Sequence, residues 1–264
     1  MRQLLTSTQS QELANDISKW IKDYADNNSI KSLVIGISGG IDSSLVSTLC
    51  AMTGLPTYVL TMPIKQKSDQ HDLSLVHAEW LTKKFTNVEH QIIALDNVYD
   101  MFHKTLKDFN NEHAFANSKS RLRMVTLYQV AGANKGMVVG TGNKVEDFGV
   151  GFYTKYGDGG VDISPIADLI KSEVYALAWE LGVDKKIMDA PPTDGLWEDG
   201  RTDQDQMQGL TYANLERAMD LIDMSAIPVG EDEKIVATYQ QIRKPNVHKM
   251  EAIPIYKIDK THEN

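Results

Sequence analysis

The sequence predicts an α/β fold: an open parallel five-stranded sheet with helices on both faces and a helical C-terminal extension. Two observations carry this. Short β-branched runs alternate with stretches of helical periodicity, the pattern of a parallel sheet built from crossover units. The first such run also leads into a Ser-Gly-Gly turn and then a helix, the arrangement that places ligands at the carboxyl edge of such sheets.

The elements follow in order. Leu13, Ile17, Trp20, Ile21 and Tyr24 recur at helical spacing between Thr8 and Asn27. Residues 32–37, Ser-Leu-Val-Ile-Gly-Ile, form the first strand, and a helix follows from about 42 to 53. Thr57 to Met62 is the second strand, stopped by Pro63. Ser68 is a candidate cap for a helix to Phe85, with Leu73, His77, Trp80 and Leu81 on one face. Val88 to Leu95 is the third strand, and Asp96 a candidate cap for a helix to Phe109. A long helix over 116–135 carries Arg121 and Arg123, and Met137 to Gly140 is the fourth strand. Ser172 to Leu181 is a helix closed by Gly182, and helices over 209–223 and 231–243 complete the chain. No composition break divides the 264 residues, so one domain over 1–264 is expected.

Composition narrows the function. The chain has 27 basic and 36 acidic residues, a net charge of −9, which argues against nonspecific nucleic-acid binding. No apolar run is long enough to span a membrane, and Met1 to Thr8 lacks the pattern of a secretory signal. The single cysteine, Cys50, excludes an internal disulfide and a multi-thiolate zinc site, and fits a reducing cytoplasmic setting. None of the seven histidines forms a His-x-x-x-His pair. Cys50 itself reads as a small core residue.

The chemistry concentrates after the first strand. Neither a Walker loop nor a dinucleotide Gly-x-Gly-x-x-Gly occurs. Instead the chain reads Gly36-Ile37-Ser38-Gly39-Gly40-Ile41-Asp42-Ser43-Ser44. Gly39 and Gly40 permit positive φ and close backbone approach. Their N–H groups and the following helix N-terminus make an anion site, to which Ser38, Ser43 and Ser44 add hydroxyls. Asp42 would repel a bare phosphate, a conflict that a bound Mg²⁺ resolves. A tight turn capped by Asp42 is the alternative reading of the same residues.

Ser38-Gly39-Gly40-Ile41-Asp42-Ser43 resembles the pyrophosphate loop of the ATP pyrophosphatase superfamily, whose fold is adenine nucleotide alpha-hydrolase-like. Residues 151–162, Gly-Phe-Tyr-Thr-Lys-Tyr-Gly-Asp-Gly-Gly-Val-Asp, are similar to a long signature of ammonia-dependent NAD synthetases. Arg121-Leu122-Arg123-Met124, Gly140-Thr141, Asp162-Ile163-Ser164-Pro165 with Lys171, Pro192-Thr193-Asp194 and His248-Lys249 match in order and approximate spacing over residues 10–255. The resemblance implies ATP- and Mg²⁺-dependent amidation of deamido-NAD by ammonia through an adenylate, giving NAD, AMP and pyrophosphate. It implies a cytoplasmic homodimer with no glutaminase domain.

By that resemblance ATP is held by Gly36, Ile37, Ser38, Gly39, Gly40, Ile41, Asp42, Ser43, Thr141, Lys171 and Thr193. Asp42 and Glu146 hold Mg²⁺, and Asp42 and Lys171 carry the catalysis. Arg121, Lys155, Asp162, His248 and Lys249 bind deamido-NAD. Arg121 and Arg123 lie two apart and point in different directions on a helix, so Arg123 is expected to be a salt-bridging surface residue. Asp194 and Asp162 are candidate bases for ammonium, and the acidic loop 189–208 is a candidate lid.

The chain departs from the common pattern at Gly140-Thr141-Gly142-Asn143-Lys144-Val145-Glu146, where many relatives read Gly-Thr-Asp-His-Ala-Ala-Glu. Met250 stands where an arginine is common. The competing readings are another adenylating ligase, a thiolase, or a non-enzymatic nucleotide-binding module. Paired cysteines and a basic RNA face, expected of a thiolase, are missing from the sequence.

Overall fold

A computed structural model describes residues 5–65, 68–191 and 207–258, with only the backbone described for residues 68–71. Among them the sheet has four strands, not five. β1 (Ser32–Gly36), β2 (Thr57–Thr61), β3 (Val88–Ile92) and β4 (Gly136–Val138) are all parallel, in the order β3-β2-β1-β4. Beside β4, Val139 and Ile163 add a single parallel bridge in place of a fifth strand. Gly140 N–H donates to the Ile163 carbonyl at 2.8 Å, and Asp162 N–H to the Val138 carbonyl at 2.9 Å.

Helices cover both faces. α1 (Ser7–Asn27), α2 (Ile41–Met52), α3 (Ser68–Lys84) and α6 (Lys171–Leu181) pack on one side. α4 (Asp96–Thr105) and α5 (Glu112–Ala133) cover the other. β1 shows why both sides are needed. Leu33 and Ile35 enter the first core and Val34 the second, all three fully buried. A strand with apolar residues on both faces must be sandwiched.

α7 (Lys185–Met188) is a single turn. The C-terminal extension holds α8 (Tyr212–Asp223), α9 (Glu231–Arg243) and α10 (Val247–Met250). Its own core joins Leu215, Ala218, Met219, Ile235, Val236 and Tyr239 to Val145 and Val150. Those two valines belong to a π-helical segment, Lys144–Val150, that follows β4.

Several local expectations shift. The helix expected from 116 begins at Glu112, capped by Asn111, whose side chain accepts from Ala114 N–H at 2.9 Å. Asp96 does not cap its helix. Leu95 stands at that position, and Asp96 accepts from Lys65 N–H at 2.8 Å. Trp20 is half exposed, while Ile21 and Ala25 carry the buried face of α1. Cys50 is fully buried, as expected of a small core residue. A capping side chain at Ser68 lies outside the described residues, as do residues 192–206 of the expected lid.

Candidate active site

β1 pairs with β2 on one side and β4 on the other, and the chain leaves it for opposite sides of the sheet, so the carboxyl ends of β1 and β4 open a crevice. The loop after β1 turns there. Gly39 has φ of 91°, which a side chain would strain, whereas Gly40 is the extended N-cap of α2 with φ of −84°. Only one of the two glycines therefore uses its left-handed freedom. Serine hydroxyls curl the turn. Ser43 Oγ accepts from Ser38 N–H at 3.2 Å and donates to the Gly40 carbonyl at 3.0 Å, and the hydroxyls of Ser38 and Ser43 are 3.0 Å apart.

A cavity of about 290 Å³ lies over this turn. Residues 36–43 form one wall, and Thr141, Gly142, Glu146, Asp147 and Lys171 form another. At its centre Lys171 Nζ donates to Asp42 Oδ2 at 2.6 Å and to Glu146 Oε1 at 2.9 Å. Asn143 Nδ2 donates to Asp42 Oδ1 at 3.1 Å, and the Tyr212 hydroxyl to Glu146 Oε1 at 2.5 Å. Lys171 is only 3% exposed, while Asp42 and Glu146 keep 18% and 16% of their side chains open. Asp42 is thus no helix cap. It sits in the first turn of α2 with its carboxylate aimed across the cavity.

Three sequence-distant segments build the cluster. α2 supplies Asp42, the π-helical segment Glu146, and the first residue of α6 Lys171. The Asn143 side chain accepts from the N–H groups of Val145 and Glu146, both at 3.0 Å, and so starts the π-helical turn that aims Glu146 inward.

Charge follows geometry. Burial raises Asp42, with Lys171 opposing and Glu146 adding to the rise. Burial also acts on Glu146, but Lys171 and the Tyr212 and Asn143 donors outweigh it and hold its carboxyl below the usual range. Burial alone would discharge Lys171. The two carboxylates reverse that and keep it firmly protonated. Burial and three neighbouring acids, Asp158, Glu146 and Asp42, raise Asp147 well above its ordinary value. Its carboxylate presses on Gly142, where an added Cβ would lie 1.8 Å from Oδ2.

The residues expected to hold the second substrate divide. Arg121 reaches the Lys155 carbonyl through Nε and Nη2, both at 3.4 Å, and Lys155 Nζ reaches the His248 carbonyl at 3.0 Å. The three are linked in one chain of contacts, and none of them lines the cavity. Lys249 donates to the Tyr153 carbonyl at 2.7 Å. Asp162 stands apart. Its carboxylate accepts from Tyr128 OH at 3.0 Å and Val138 N–H at 2.7 Å, which ties down the edge of β4. Arg123 corrects the sequence reading. It is half-buried and lines the cavity, donating through Nε to the Met62 carbonyl at 3.0 Å. Thr193 and Asp194 lie outside the described residues.

Sequence reasoning missed Asn143, Asp147, Tyr212 and Glu216. Only Asn143 left a local signal, a capping residue three positions before Glu146.

A parallel sheet with an anion-binding turn and a lysine held between two carboxylates defines an α/β enzyme of the nucleotide-using kind. Comparison with known proteins narrows the class. The NAD synthase family model matches residues 13–257. The NH(3)-dependent NAD(+) synthetase of Finegoldia magna is 37% identical over 243 residues, 88% of this chain and 98% of that protein. The solved NMN synthetase of Francisella tularensis superposes with a TM-score of 0.84 at 32% identity, covering 94% of this chain and 99% of that one. An NH3-dependent NAD synthetase of Campylobacter jejuni, in complex with nitrate, gives a TM-score of 0.73 at 26% identity, with coverage of 94% and 99%. The chain belongs to the NAD synthase family and is a ligase that forms a C–N bond.

Proposed function

We propose that the chain amidates the nicotinate carboxylate of deamido-NAD with ammonia, with ATP as co-substrate. The observation that supports this most is the Asp42–Lys171–Glu146 cluster facing the anion-binding turn in one cavity. A carboxylate resists attack by ammonia because its charge is delocalised. In the first step a substrate carboxylate oxygen attacks the α phosphorus of ATP. The O–Pα bond forms, the Pα–O–Pβ bond breaks, and pyrophosphate leaves. In the second step neutral ammonia forms the C–N bond, AMP departs with the activated oxygen, and the nitrogen gives up a proton.

The work of the protein is to stabilise the charge on the leaving pyrophosphate. Residues 36–43 cradle the phosphates, and Lys171 turns its ammonium toward them. Thr141 and Thr193 complete the ATP contacts. Asp42 and Glu146 fit a divalent cation. They are two oxygen donors brought to one ammonium, partly open to the cavity, and Mg²⁺ commonly takes one or two carboxylates with substrate phosphates. When bound, Mg²⁺ would neutralise phosphate charge there. Arg121, Lys155, His248 and Lys249 bind the second substrate, and Asp162 holds the edge of β4. Free ammonia is the nitrogen donor, the whole chain acts as one domain in the cytoplasm, and two copies pair. No helix among the described residues is long and apolar enough to cross a membrane.

A second reading has one specific support, the likeness to the Francisella tularensis NMN synthetase. In it the substrate is the nicotinate mononucleotide, amidated by the same two steps. The test is pyrophosphate release with ATP, Mg²⁺ and ammonium, each omitted in turn, with deamido-NAD or the mononucleotide as acceptor and Asp42→Ala as control. A higher kcat/KM with deamido-NAD supports the first reading and a higher value with the mononucleotide the second. Release without either acceptor refutes both.

A further inference from the structure

One face of α8 touches the cluster at two points. Tyr212 and Glu216 are four residues apart and share that face. The Tyr212 hydroxyl donates to the same Glu146 oxygen that Lys171 holds, and Lys171 Nζ lies 4.9 Å from the centre of the Tyr212 ring. Glu216 accepts from Ser172 N–H at 2.9 Å and Ser172 Oγ at 3.1 Å.

Ser172 is the residue after Lys171, in the first turn of α6. N–H groups there have no partner within the helix, and Ile170 at the cap position has no side-chain acceptor to offer. Glu216 supplies one from another helix, with a negative charge where the helix dipole favours it. The same helix packs Leu215, Ala218 and Met219 against Val145 and Val150, which flank Glu146. α8 is therefore tied to both segments that bring charge into the cavity. Packing alone does not call for a hydroxyl and a carboxylate at those two positions, because a half-buried polar group costs free energy unless its partner is in place.

We propose that Tyr212 and Glu216 are positioning residues for the ligase reaction: Tyr212 sets the Glu146 carboxylate and covers the Lys171 ammonium, and Glu216 fixes the helix start from which Lys171 reaches in. This rests on the reading of Lys171 and Glu146 as reaction machinery. Their role lies in the chemical step, so they act on kcat and leave the binding of the acceptor unchanged.

The test uses the full chain. Tyr212→Phe removes one oxygen and keeps the ring over Lys171. Loss of a hydrogen bond to a charged group should lower kcat roughly ten- to a hundredfold, with KM for the acceptor within about twofold of wild type. Thermal unfolding without ligand should shift by only a few degrees. Glu216→Gln, which keeps the shape, should lower kcat less than Glu216→Ala. If Tyr212→Phe fails to fold, the Glu216 pair carries the test alone. In the Glu146→Gln background, Tyr212→Phe should cost little more, because the two act as a unit.

A kcat within twofold of wild type in Tyr212→Phe overturns the proposal. So does a loss in the Glu146→Gln background equal to that in wild type, or a fall in kcat matched by inactivation through unfolding. Failure of the underlying reading looks different, since the wild-type chain would then release no pyrophosphate at all.

Discussion

Replacing Lys171 by methionine keeps the length of the side chain and removes its charge. In the native protein that ammonium sits 2.6 Å from Asp42 and 2.9 Å from Glu146 and is 3% exposed. Without it two neighbouring carboxylates face each other with no cation between them. Breaking a buried pair in this way costs about 3–5 kcal/mol. For a domain of this size that corresponds to a fall in Tm on the order of 10 °C. The sign with pH is definite. In Lys171→Met both carboxyls have folded-state pKa values raised above their unfolded ones, so the penalty is full at neutral pH and fades as pH falls toward 4. Differential scanning calorimetry of both proteins from pH 7 to 4.5 measures this, and the Tm gap between them should narrow on acidification. Mg²⁺ should narrow the gap at pH 7 as well. An unchanged Tm in the variant at pH 7, or a gap that widens on acidification, would refute the reasoning.

Other predictions follow from single contacts. His77 is buried on α3, its Nε2 lies 2.9 Å from Ser47 Oγ, and burial pushes its pKa down to about 4. Its folded-state pKa is below the unfolded value, so stability is full above about pH 6.5 and falls as pH drops toward 4, by about 3 kcal/mol in the limit. Urea titrations of His77→Gln should show a flatter profile across that window. Gly142→Ala places a Cβ 1.8 Å from Asp147 Oδ2, so the carboxylate must swing away. Its loss of stability should be largely relieved in Gly142→Ala/Asp147→Ala, as thermal melts of the three variants can check. Burial raises the Cys50 thiol and leaves it 0% exposed, so a thiol reagent should label it only at the rate of unfolding, followed by mass spectrometry with and without urea.

How much of this was legible in the sequence depended on distance along the chain. The turn at 36–43 was, because the glycines, the serines and the flanking strand and helix are all local. Only Gly40 was misjudged there, since a cap and a left-handed turn both favour glycine. The five-strand count failed beside β4, where the pairing amounts to a single bridge between Val139 and Ile163. Arg123 was assigned to the surface because helix-face arithmetic gives a direction but not what lies in it. The separation of 129 positions between Asp42 and Lys171 puts their contact beyond any spacing rule, and resemblance alone named the pair. Tyr212 had neither a spacing nor a motif, because the packing of the C-terminal extension on Val145 and Val150 decides what it meets.

The central claim is that a substrate carboxylate is activated by transfer of AMP. Deamido-NAD carrying ¹⁸O in its nicotinate carboxylate, turned over with ATP, Mg²⁺ and ammonium, tests it most directly. The account predicts one ¹⁸O in each AMP released, with pyrophosphate formed in equal amount. Unlabelled AMP, or ADP and inorganic phosphate in its place, would contradict it.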